Sequence, residues 1–184
     1  MRYYHCSPTP DLTLLQPGKP ETFEKPASVY MTTLLPMALM YGIRNYEYSY
    51  GYTKDGKIFY EEYFPHALDE LYGGKSASLY LCAPEDVDIT RIPNEVTSAK
   101  PVPVISEIVI PDVREALLEQ ERLGALTICR YHELSEKTRN WICDAVVETI
   151  LRKGLLYQEG PMAAYYQQHY PESWIMAAQS GEQK

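Results

Sequence analysis

The segment Val29 to Tyr41, Val-Tyr-Met-Thr-Thr-Leu-Leu-Pro-Met-Ala-Leu-Met-Tyr, constrains the fold of this chain more than any other. A short β-branched and aromatic run passes directly into a helical pattern with a proline near its start. Proline is tolerated in a first helical turn, where its missing N–H would have no partner anyway. The segment therefore predicts a strand over 29–32, an N-cap at Thr32 or Thr33, and a helix to about Ile43. Tyr30 falls on the strand, and Tyr41, eleven positions later, lies on the helix.

Around this segment the pattern is mixed α and β without regular alternation. Residues 2–7 read as a first strand. Pro8 to Pro26, with five prolines and a glycine, reads as an irregular connection with a turn near Leu12 to Leu15. Residues 45–64 predict a tyrosine-rich hairpin turning at Lys54-Asp55-Gly56-Lys57, since an Asp-Gly pair suits a tight hairpin. His66 to Tyr72 reads as a short helix ended by Gly73-Gly74, Ser78 to Cys82 as a strand, and Pro84 to Pro101 as mostly loop. Val102 to Ile110 reads as a strand of the buried kind. A helix follows from an Asp112 cap to about Leu123, with Glu115 in the capping box and Gly124 as its stop. Leu126 to Tyr131 is a further strand, and Ser135 to Lys153 an amphipathic helix stopped by Gly154. One or two short helices over Pro161 to Ile175 precede a polar, frayed end from Gln179 to Lys184.

A chain of 184 residues suits a single domain, 1–184, with 125–178 as a helical C-terminal extension. Such a length buries roughly 70% of the unfolded surface. The charge of −8, with no local run of Lys or Arg, argues against a sequence-independent nucleic-acid binder, which needs a basic face. The first residues lack the apolar segment of a secretory leader, and no stretch has the ~20 apolar residues of a membrane span. Cys6, Cys82, Cys129 and Cys143 show no paired or metal-binding spacing, which predicts reduced thiols, no metal and a cytoplasmic location. Seventeen tyrosines against three phenylalanines supply ring area with polar handles, suited to clefts, interfaces or half-buried strands.

Three residue groups recur in order. His5-Cys6-Ser7 ends the first strand, Tyr30 and Tyr41 mark the strand–helix unit, and Glu107 sits in Ser106-Glu107-Ile108-Val109-Ile110-Pro111-Asp112. Singly, each has an ordinary structural reading: a satisfied polar residue on a strand, two of many tyrosines, an acid on a cleft face. His5 and Cys6 cannot form a direct nucleophile–base pair, because neighbouring strand residues point to opposite faces. There is no Rossmann glycine motif and no Walker loop. In this order, over residues 2 to about 123, the groups resemble the ADP-ribosyltransferases of the His-Tyr-Glu kind, the superfamily that contains diphtheria toxin and the poly(ADP-ribose) polymerases. Cys6 stands where the family usually has glycine, Ala38 where many polymerase relatives have serine, and Ile105 where arginine-modifying relatives have a second glutamate.

The resemblance implies an α+β fold, a split β-sandwich of two small, mostly antiparallel sheets packed face to face with flanking helices. It also implies mono-ADP-ribosyl transfer from NAD, as substrate, to an unknown acceptor. In it, Tyr30 and Tyr41 hold the nicotinamide ring, His5 the adenosine ribose, and the Cys6 main chain the carboxamide, with Ser7 in the same motif. Glu107 is then the catalytic carboxylate. Water as acceptor makes the same site an NAD glycohydrolase. The other readings are a catalytically inactive module of this fold and a tyrosine-rich partner-binding domain with no nucleotide.

Overall fold

Short runs of β-branched and aromatic residues form the strands, and polar caps set where the longer helices begin. The computed structural model describes residues 1–18 and 27–181. Its first half contains β1 (Tyr3–Ser7), β2 (Leu14–Leu15), β3 (Val29–Thr32), α1 (Leu35–Tyr41), β4 (Tyr50–Tyr52), β5 (Ile58–Glu61), α2 (Ala67–Tyr72) and β6 (Ala77–Cys82). Then come β7 (Asp88–Ile89), β8 (Glu95–Ser98), β9 (Val102–Ile110), α3 (Val113–Arg122), β10 (Thr127–Cys129), α4 (Glu136–Lys153), α5 (Pro161–His169) and α6 (Pro171–Gly181). The part of the expected irregular connection over 19–26 and the frayed end over 182–184 lie outside the described residues. Gln179 and Ser180, expected to fray, belong to α6.

Seven strands make one antiparallel sheet in the order β2-β9-β6-β1-β3-β8-β7, and three make a second, β10-β5-β4. The chain is therefore mixed α+β, with one sheet larger than expected. It divides into two compact units, Met1–Phe59 with Leu68–Thr127, and Tyr60–Ala67 with Ile128–Lys184.

In the first unit, alternation along the strands sorts the sheet into two faces. Tyr3, Met31, Tyr80, Cys82, Val96 and Val102 share one face and pack with Leu15 into a core. Helix α1 packs against β1, β3 and α3. Thr32 touches it through Oγ1 to Met37 Sδ at 3.2 Å, so α1 covers the other face. The helix is capped one or two residues later than expected. Its N-cap is Leu34, whose N–H donates to Thr32 Oγ1 at 3.0 Å, and Pro36 lies in the first turn as anticipated. Asp112 caps α3 by accepting from the Glu115 N–H at 3.1 Å, and its second oxygen accepts from Gly74 at 2.9 Å. Gly56 at φ 81° makes the hairpin turn that the Asp-Gly pair predicts.

In the second unit, Ser135 caps α4 through the Thr138 N–H at 3.1 Å, and Gly154 at φ 64° ends it. Ile142, Val146 and Ile150 form its buried stripe, and α6 packs along it. Tyr166 and Tyr170 are buried, and Tyr170 meets Phe64, whose ring stacks on His169 at 4.3 Å between centroids. Glu62, also buried, accepts from the Tyr131 N–H at 3.0 Å. The expected strand to Tyr131 stops at Cys129, and Tyr131–Glu133 forms a 3₁₀ turn instead. Among the described residues no helix is long and apolar enough to cross a membrane.

The Asp112 cap gives a direct stability test. Slight burial pushes its carboxyl up, but the Gly74, Glu115 and Arg114 amides and the Arg114 charge outweigh this and hold it below its ordinary 3.8. A depressed carboxyl adds stability above its unfolded pKa and loses it as pH falls below that value. Asp112→Ala should lower stability by about 1–2 kcal/mol at pH 7, read from the urea midpoint, with the deficit shrinking below pH 3.8.

Candidate functional site

The central strand β1 is held unequally on its two sides. Against β6 it pairs at every residue, from Tyr3↔Cys82 to Ser7↔Ser78. Against β3 the registered pairing is Tyr4↔Thr32 alone. Continued pairing would set Cys6 opposite Tyr30. Instead the His5 ring crosses the seam, its Nδ1 donating to the Tyr30 carbonyl at 2.8 Å. A carbonyl only accepts, so Nδ1 carries the proton and Nε2 is left as an acceptor. Burial lowers the His5 pKa, and the hydrogen bond to Tyr30 only partly offsets this. The imidazole is therefore neutral at pH 7.

His5, Tyr80 and Glu107 form a row across β1, β6 and β9 on one face of the sheet. Tyr80 is fully buried, its ring stacked on His5 at 6.4 Å with the planes inclined by 29°. Its hydroxyl donates to Thr9 O at 2.7 Å and stands 3.4 Å from Glu107 Oε1. The Asp11 N–H lies 3.2 Å from both Glu107 oxygens, and Asp11 is one of three non-glycine residues at positive φ among the described residues, at 60°. The Ser78 hydroxyl above all, with the Asp11 amide and Tyr80, holds the Glu107 carboxyl below its ordinary range against the opposing effect of desolvation. Glu107 is therefore ionised and directionally held.

Strand β9 has the expected bounds but not the expected burial. Ile105, Ile108 and Val109 are more than half exposed, at 54%, 58% and 66%. Beyond Pro103 the short strand β2 no longer pairs with it. An apolar run at a largely uncovered edge is thus open on both faces. Glu107 needs no buried partner to be tolerated there.

The opposite face carries Cys6 and Tyr30. Cys6 is buried, and a β-carbon at Gly42 would come within 2.5 Å of its Sγ. Gly42, at the end of α1, leaves the space that the cysteine fills, so the sulfur points away from the seam. Burial pushes this thiol up to about 12, so it is not a nucleophile at neutral pH. Ser7 Oγ accepts from the Thr9 N–H at 3.1 Å and so belongs to the turn after β1.

Tyr41 extends an aromatic chain on this face. Its hydroxyl meets that of Tyr50 at 2.8 Å, its ring tilts over Tyr48 at 4.8 Å, and Tyr50 meets Tyr52 edge to face at 6.3 Å. Burial, then hydrogen bonding to Tyr50, raises the Tyr41 phenol, and the Glu95 charge adds to the same effect. The Glu95 carboxylate also raises Tyr30, Tyr50 and Tyr52, each secondarily to burial. Glu95 is itself only 6% exposed. It lies where the sequence predicts mostly loop. The segment 88–98 is a hairpin turning at Asn94, φ 65°, and its second strand lies along β3 with Thr32↔Glu95 in register. The local signal was the short run Glu-Val-Thr-Ser between Asn94 and Pro101.

The structure thus brings His5 against the Tyr30 main chain and into a row with Glu107. It sets Tyr30 on the same sheet face as Glu95, and the Glu95 charge reaches both Tyr30 and Tyr41. The two groups occupy opposite faces of the sheet and meet at the β1–β3 seam. The neutral, seam-spanning state of His5 is testable by NMR titration, in which its ring should protonate below the ordinary 6.5. Between those two pKa values the unfolded chain binds more protons, so stability should fall as pH drops through that window. His5→Asn should abolish that pH dependence. No protein-family model matches the sequence, and no curated protein matches it.

Proposed function

We propose that this chain is an NAD-dependent mono-ADP-ribosyltransferase of the split-sheet kind, with the substrate seated at the β1–β3 seam. The observation that carries the reading is that seam, registered at Tyr4↔Thr32 alone and bridged by His5 Nδ1 to Tyr30 O. Beyond Tyr4, the β3-facing edge of β1 has no registered strand partner, so main-chain groups near Cys6 are placed to pair with a carboxamide. The cysteine does not obstruct this, because its sulfur lies toward Gly42. A ligand in the seam meets Tyr30 and Tyr41 from one face and His5 and Glu107 from the other, with the buried Tyr80 supporting Glu107. The residues present therefore fit a nucleotide with a flat ring at one end.

The chemistry asked of them is limited. Cleaving the nicotinamide–ribose bond returns the bonding electron pair to the ring nitrogen, so nicotinamide leaves neutral. Positive charge then develops on the ribose. Glu107, ionised and fixed by the Asp11 amide, stabilises that charge and accepts a hydrogen bond from a ribose hydroxyl. The acceptor nucleophile, or water, then bonds to the ribose carbon and gives up its proton. Tyrosine faces orient the ring at on the order of 1 kcal/mol per stacked pair, which positions but does not cleave. His5 Nε2 accepts from a ribose hydroxyl while Nδ1 holds the seam.

Incubation with NAD and quantification of free nicotinamide tests this reading. Wild type should release nicotinamide, and Glu107→Gln should slow release by about 10²–10³-fold with the fold intact. An unchanged rate in the variant would remove Glu107 from the chemistry. Failure of the wild type to bind NAD at all would overturn the reading.

A further inference from the structure

Tyr30, Tyr41, Tyr50 and Tyr52 lie on the α1 side of the sheet, near a buried carboxylate, Glu95, that the NAD chemistry above does not use. Tyr30 and Thr32 are two apart on β3 and share a face, and the registers Tyr30↔Thr97 and Thr32↔Glu95 put Glu95 on that same face. Tyr52 reaches the turn beside it, its hydroxyl donating to Pro93 O at 2.7 Å. Tyr50 meets Tyr52 edge to face and joins Tyr41 hydroxyl to hydroxyl. Glu95 is buried, whereas all four rings are half-buried and so open in part to solvent. Their phenols are raised, so none carries negative charge at neutral pH.

We propose that Glu95 is the anionic floor of a tyrosine-walled site that selects a cationic ring over a neutral one. Resting on the reading of Tyr30 and Tyr41 as nicotinamide walls, this makes Glu95 the residue that distinguishes oxidised NAD from its neutral counterparts. The nicotinamide of NAD is a pyridinium cation, favoured by the electron-rich faces of tyrosine and by a nearby carboxylate. Free nicotinamide and the reduced dinucleotide carry no such charge. Glu95 therefore helps hold the substrate, and this attraction is lost when the C–N bond breaks and the electron pair returns to the ring. The interaction is made in the ground state and weakens toward products, so it acts on substrate affinity and product release.

The test compares N1-methylnicotinamide, a pyridinium cation, with neutral nicotinamide in direct binding to the full chain by calorimetry or NMR. Wild type should bind the cation about tenfold more tightly. Glu95→Gln should bring that ratio near one, and Glu95→Asp, which keeps the charge, should retain most of it. With NAD, Glu95→Gln should raise KM by about tenfold. A wild-type ratio near one, or no saturable binding of the cation, overturns the proposal without any variant. So does a ratio unchanged in a folded Glu95→Gln protein. Nicotinamide release from NAD with no cation preference would remove this inference and leave the enzyme. A Glu95-dependent preference with no NAD cleavage would remove the enzyme and leave the cation site.

Discussion

Strand β1 is zipped to β6 along its whole length and fastened to β3 at one register. Everything placed around the candidate site depends on that asymmetry. The well-paired side gives rigidity: Tyr80 is fully buried, and its hydroxyl ties the turn after β1 to the sheet through Thr9. The loosely paired side gives access, because the main chain of β1 there is not consumed by a ladder. His5 closes the gap that would otherwise leave the Tyr30 carbonyl without its strand partner. A hydrogen bond of this sort contributes only about 0.5–1.5 kcal/mol, so the seam is held but not locked.

Electrostatics divide the two sides of the seam in a way composition alone does not show. Glu107 is ionised and held by the Asp11 amide and the Ser78 hydroxyl, a carboxylate with its geometry fixed in advance. Glu95 is buried among phenols that stay protonated. Its charge acts on the phenols of Tyr30, Tyr41, Tyr50 and Tyr52. Cys6, where the motif it resembles has glycine, is a packing residue. Its sulfur occupies the space that Gly42 leaves at the end of α1.

Much of the fold was legible because it is set by local chemistry. The strand over Val29–Thr32, the Asp112 and Ser135 caps, and the turn at Gly56 each follow from a few adjacent residues. What was not legible depends on distant partners. β8 is four residues long and owes its existence to β3, more than sixty positions earlier, so Glu95 read as loop. The apolar run of β9 reads as buried, but burial depends on a neighbouring strand, and β2 pairs only with Val102 and Pro103 at its start. The order His5, Tyr30, Tyr41, Glu107 was visible in the chain. Which face each occupies required the register of three strand pairs.

The claim that the seam is the nucleotide site is most directly tested by nuclear Overhauser effects from the nicotinamide ring protons of bound NAD to protein aromatic protons. Spectra of Tyr30→Phe and Tyr41→Phe would assign the rings. The account predicts contacts to Tyr30 and Tyr41. Contacts confined to tyrosines away from the seam, such as the exposed Tyr157, or no contacts at saturating NAD, would contradict it.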